Sequence, residues 1–109
     1  MTLTQKAKII QKLIKEGRLK VDFKTGDVFY RKGDKWNIRV YWLKKGYRCY
    51  LIRYNGIKFN ISGQRLVWLA AGGKLGKHTD VDHWDRNRQN NGLLNLRPMH
   101  KSTNRSKRL

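Results

Sequence analysis

Asp80, Asp82 and Asp85 hold three of the chain's seven acidic residues within six positions, and His83 lies among them. The sequence as a whole is basic, with 26 Lys and Arg against 7 Asp and Glu and a formal net charge of +19. Carboxylates repel phosphate, so a surface built only to hold a polyanion gains nothing from this cluster. A divalent cation bridging protein and phosphate gives it a use. An imidazole takes a proton from water near neutral pH. Asp82 and the neutral oxygen of Asn104 form a hard ligand pair suited to Mg2+ or Mn2+ with several waters retained. On a regular strand Asp82 and His83 face opposite ways. At a strand end or bulge they can diverge modestly, one toward a metal and one toward a water.

The elements that must position these groups are short. Residues 81–84 read as a strand. Residues 85–92 form a polar loop rich in Asn and Arg. Residues 93–97 read as a second strand closed by Pro98, and residues 100–108 contain no Gly or Pro and can form a helix. This strand–loop–strand–helix run has too few apolar residues for its own core. A bound cation and packing against the preceding helix have to hold it together. Within it, Asn87, Asn90 and Asn91 read as turn formers. Arg97 either clamps a phosphate or pairs with Asp80 or Asp85. His100 lies one helical turn before Asn104, within reach of a metal, with a first-turn or capping role favoured. Trp84 reads as packing and His78 as an exposed connector residue.

At Asp82-His83, Asn91, Asn95-Leu96-Arg97 and Asn104 the sequence resembles the HNH endonuclease family, in the phage homing-type variety where Asn replaces the last His of the name. The spacing is 12 residues from His83 to Asn95 and 9 from Asn95 to Asn104. Residues 47–71, a hairpin followed by a helix, look like the segment that precedes this motif, except that Gln64 stands where the family often has His. The resemblance spans roughly residues 45–109. It implies His83 as the general base that activates water, with Asn95 holding the loop and orienting His83. Asp82 and Asn104 would bind one divalent metal. The products would be 5′-phosphate and 3′-hydroxyl ends. Arg39, Arg48, Arg86, Arg88, Arg97, Lys101 and Arg105 are the candidate DNA contacts.

The expected fold class is α+β: an N-terminal helix and antiparallel β-meander, then a ββα-metal motif. The division falls at residues 1–75 for the DNA-contacting scaffold and 76–109 for the nuclease motif. Thr2 and Gln5 read as a capping box. Leu3, Ala7, Ile10 and Ile14 recur at helical spacing up to Gly17. From Arg18 the period becomes two, with turns at residues 24–27, 32–35 and 44–46 and a hairpin signal at Asn55-Gly56, giving about five strands. Arg39, Tyr41, Arg48, Tyr50 and Lys58 fall on the outward side. Ser62 can cap a short helix over residues 64–71.

No apolar run approaches the ~18 residues a bilayer span needs, and the basic residues are spread over every segment, so the expected partner is DNA and not a membrane. The lone Cys49 suits a reducing cytoplasm, that of a bacterial host if the chain is phage-encoded. Monomer and dimer both remain open. Two rival readings share the composition: a non-catalytic DNA binder on the same scaffold, and a basic RNA binder without metal.

Overall fold

Thr2 opens the first helix, α1 (Leu3–Lys15), through reciprocal bonds: its hydroxyl accepts from the Gln5 amide and its own amide donates to the Gln5 side chain. This satisfies orphan donors of the first turn. Ile9, Ile10 and Leu13 are buried on one face, and the chain leaves through Gly17 at φ 72°, a left-handed exit that glycine adopts without penalty. The computed structural model describes residues 1–101. Asn104, Arg105 and the rest of the helix expected over residues 100–108 lie outside the described residues.

Six strands follow, not five, and they form two sheets. β1 (Leu19–Val21), β2 (Val28–Lys32) and β3 (Lys35–Ile38) make one antiparallel sheet; β4 (Trp42–Lys44), β5 (Tyr47–Tyr54) and β6 (Ile57–Ser62) make the other. The alternation from Trp36 to Trp42 suggests one continuous strand. Arg39 breaks it. Its amide donates to the Val28 carbonyl, while its guanidinium turns across to the Leu51 carbonyl of β5. The chain thereby passes from one sheet to the other. The turn at Asn55-Gly56 has φ of 47° and 81°, the left-handed pair that a type I′ hairpin demands.

α2 (Gly63–Ala70) follows directly from β6, with Leu66 and Val67 fully buried and Trp68 half-buried. Ser62 occupies the N-cap position, but its hydroxyl makes no capping bond. β7 (Thr79–His83) then pairs antiparallel with β8 (Leu96–His100), Val81 opposite Pro98 and His83 opposite Leu96. The second strand thus starts later than its apolar residues suggest, because residues 93–95 form a 3-10 turn. It also runs through Pro98. A two-stranded ribbon has only edge strands, where a missing N–H is tolerated. His100 accordingly belongs to a strand and lies near His78, their rings tilted by 30° with centroids 6.1 Å apart. Val81 and Leu96 join Ile10, Tyr50, Leu66 and Val67 in one apolar cluster. The ribbon therefore rests on the core made by α1, α2 and the second sheet. The α+β fold class is as the sequence indicates.

Candidate active site

The ribbon is fixed to α2 by a fork: Arg65 Nε and Nη2 each donate at 3.0 Å to one oxygen of Asp80. Burial alone would raise the Asp80 pKa, but the Arg65 hydrogen bonds and the Val81 amide outweigh it and hold the carboxyl below its ordinary range. Asp80 is thus structural. The ladder is regular up to His83, so Asp82 and His83 project to opposite faces.

His83 is only 3% exposed. Its Nε2 lies 2.8 Å from Asn91 Oδ1. An amide oxygen can only accept, so Nε2 carries the proton and the Nδ1 lone pair remains for acid–base work. The Tyr47 ring stacks beside it, centroids 6.0 Å apart. Asn91 is fully buried. A side chain at Gly26 or Gly63 would collide with it, and the Leu93 amide bonds to the Phe23 carbonyl at 2.8 Å. The turn between β1 and β2 therefore holds the end of the 85–92 loop. The sequence counts Asn91 in the motif but gives its side chain only a turn-forming role; that side chain instead meets His83, eight residues upstream on another element.

Asn95 ties the loop into a knot. Its amide nitrogen donates to Asp85 Oδ1 and to the Asn90 carbonyl, both at 2.9 Å, while its Oδ1 accepts from the Asp85 amide. Asp85 also accepts from Asn90 and the Asn87 amide. These bonds, with the Asn90 side chain foremost, depress the Asp85 pKa. The direct contact to His83 is made by Asn91, while Asn95 reaches the residue after it, its carbonyl receiving the Trp84 amide at 2.8 Å.

Asp82 lies on the other face with its side chain 16% exposed. It pairs with Arg97, opposite it across the ribbon, at 3.0 Å; sequence reading had weighed Asp80 and Asp85 as partners for that arginine. The Arg97 guanidinium also covers Trp84, 3.8 Å from its ring centroid, and Trp84 is 59% exposed instead of packed. A carboxylate that already seats one cation has the chemistry a metal ligand needs. Among the described residues no cluster of three or more His, Cys, Asp or Glu forms a metal cage. A donor set of one carboxylate with amide and water oxygens suits Mg2+ or Mn2+ better than zinc.

The remaining candidate DNA contacts divide. Arg39 spends its guanidinium on the Leu51 carbonyl, and Arg48 pairs with Asp27 at 3.1 Å and lies 4.5 Å from the Tyr41 centroid. Tyr50, expected on the wet face, is buried at 1% exposure beneath them. Arg88 is exposed, lies over Tyr47 and donates to the Lys45 carbonyl. Arg86 and Lys101 are exposed, Arg86 in a left-handed turn at φ 62°. Arg86 and Arg88 therefore stand on the loop beside His83 and Arg97 on the Asp82 face of the ribbon, while Arg39 and Arg48 brace the sheets.

This ribbon with its loop, set on α2, is similar to part of an HNH endonuclease motif. Residues 63–106 match the family model described as HNH endonuclease, so the resemblance carried by Asp82-His83, Asn95 and Asn104 is borne out. A solved structure described as "DNA binding and cleavage by the HNH homing endonuclease I-HmuI" aligns with 84% of this chain at a TM-score of 0.69 and 28% identity. The chain spans about half of that protein, 52%. No curated protein sequence matches the chain. No helix among the described residues is long and apolar enough to cross a membrane.

Proposed function

We propose that the chain is a metal-dependent DNA endonuclease in which His83 is the general base and Asp82 a metal ligand. The observation that carries this reading is the placement of Asp82 and His83 as neighbours at the end of β7, inside the HNH segment. They project to opposite faces at the point where the ribbon passes into the loop, so a phosphodiester has to lie across that end to meet both. His83, with Nε2 held by Asn91, offers Nδ1 to an attacking water. Asp82, on the opposite face, would be a ligand of the divalent cation, with Asn104 as the expected second ligand. A bound Mg2+ or Mn2+ would supply Lewis-acid stabilisation of the developing phosphorane charge and the departing oxygen. Arg86, Arg88 and Arg97 bind flanking phosphates, and Asn95 keeps the loop closed so that these groups stay in register. Residues 1–75 serve as scaffold and residues 76–109 as the catalytic unit, although one core joins them.

Supercoiled plasmid incubated with Mg2+ or Mn2+ tests this. Wild type should nick it, while EDTA or His83→Ala should abolish nicking. Binding without cleavage, unaffected by EDTA, would instead establish a non-catalytic DNA binder. A preference for folded RNA would establish the RNA-binding alternative.

A further inference from the structure

Arg97 is held from two sides. Its Nε and Nη2 both reach Asp82 Oδ2, at 3.2 and 3.0 Å, and its planar face rests on Trp84. One oxygen of the carboxylate that the proposed function assigns to a metal is therefore already engaged by a cation. A guanidinium stays charged at any relevant pH, so it yields that oxygen only by moving. What draws it away has to offer an equivalent acceptor. A phosphodiester does, since guanidinium binds phosphate and carboxylate with the same forked geometry. Trp84 is 59% exposed, so its ring can keep the cation–π contact while the guanidinium exchanges one anion for the other.

We propose that Arg97 is a positioning residue that caps Asp82 in the free protein and transfers to a DNA phosphate on binding, so that DNA and metal bind cooperatively. This rests on the reading of Asp82 as a metal ligand. The coupling is reciprocal: whatever factor DNA adds to metal affinity, metal adds to DNA affinity. Metal loading is then confined to the complex in which a phosphate is in place.

Mn2+ binding, followed by electron paramagnetic resonance on the full chain, tests this apart from any cleavage. A His83→Ala background keeps the duplex intact, and Mn2+ bound by duplex alone is subtracted. With Arg97 present, a short duplex should tighten Mn2+ binding by about tenfold or more. Arg97→Gln should bind Mn2+ about tenfold more tightly without DNA, and the duplex should then add little. Arg97→Lys, which keeps a charge but not the fork, should lie between and guards against a folding defect in the first variant. Unchanged or weaker DNA-free Mn2+ affinity in both variants, with Asp82→Asn abolishing binding, would overturn the Arg97 proposal alone. Mn2+ affinity untouched by Asp82→Asn would overturn the metal assignment and the Arg97 proposal together.

Discussion

His83 and Asn91 meet through one buried hydrogen bond of 2.8 Å, made between two side chains that are 3% and 0% exposed. Since the amide oxygen must accept, this bond selects one tautomer of the imidazole. Asn91→Ala removes the acceptor and leaves Nε2–H buried and unpaired, at a cost of about 1–3 kcal/mol. If the proposed mechanism holds, kcat for nicking should fall toward the loss of the ~10²–10⁴ that general-base catalysis supplies, with KM little changed. Thermal melts and a pH–rate profile check both parts. A variant that loses stability yet nicks at the wild-type rate would sink the positioning role.

The bond depends on a glycine two elements away. A Cβ at Gly63 would strike Asn91 Nδ2 and approach the Tyr50 ring. Gly63→Ala should therefore destabilise by about 1–3 kcal/mol through overpacking. Combined with Asn91→Ala, the collision disappears, so the double variant should cost clearly less than the two singles together. Urea titrations of the four proteins give the coupling, and additive costs would count against direct contact.

These relationships explain what the residue string reveals and what it hides. The capping box at Thr2 and the Asn55-Gly56 turn are local, and both appear where the sequence places them. Asp82, His83 and Asn95 are legible because the motif has fixed spacing. Arg39 is not legible as a sheet breaker, because its reason is the Leu51 carbonyl twelve residues away. Tyr50 alternates like an outward residue, yet the start of α2 at Gly63 and the Tyr41 ring close over it. Asn91 looks like a turn residue until the β1–β2 turn closes over it. Pro98 reads as a strand stop only while the ribbon's lack of further neighbours is unknown.

Acid should weaken the joint between α2 and β7. Asp80 has a folded-state pKa below its unfolded value, near 3.9 for a free Asp. Protonation therefore favours the unfolded chain. The stabilisation is full above the unfolded value and is lost as pH falls through the folded one. Asp80→Asn should cost about 1–2 kcal/mol at pH 7, since the fork to Arg65 is charge-assisted but partly exposed. The difference between variant and wild type should shrink below about pH 4. Melting temperatures of both proteins from pH 7 to pH 2.5 measure it, and a gap that widens in acid would contradict the sign.

DNA affinity should fall steeply with salt. If the exposed cations around the loop and the N-terminal elements contact six or more phosphates, affinity drops ~10³-fold or more between 50 and 200 mM salt. Arg86→Ala and Arg88→Ala should each flatten the logarithmic slope by about one, whereas Arg39→Ala should not, because that guanidinium is spent on the Leu51 carbonyl. Filter binding across a salt series distinguishes them. Equal slope changes for all three would place Arg39 at the DNA after all.

Asn95 offers the clearest separation of loop order from direct chemistry. Its side chain holds Asp85 and the Asn90 carbonyl, and no bond runs from it to His83. Asn95→Ala should release the knot and should raise hydrogen exchange at the Asp85, Asn87 and Trp84 amides. The same release should lift the Asp85 pKa back toward its ordinary value, because Asn95 is among the groups that depress it. Carbon-13 chemical shifts of the Asp85 carboxyl during a titration report this directly. A lost nicking activity with unaltered exchange and an unmoved Asp85 titration would mean that Asn95 touches the reacting groups itself.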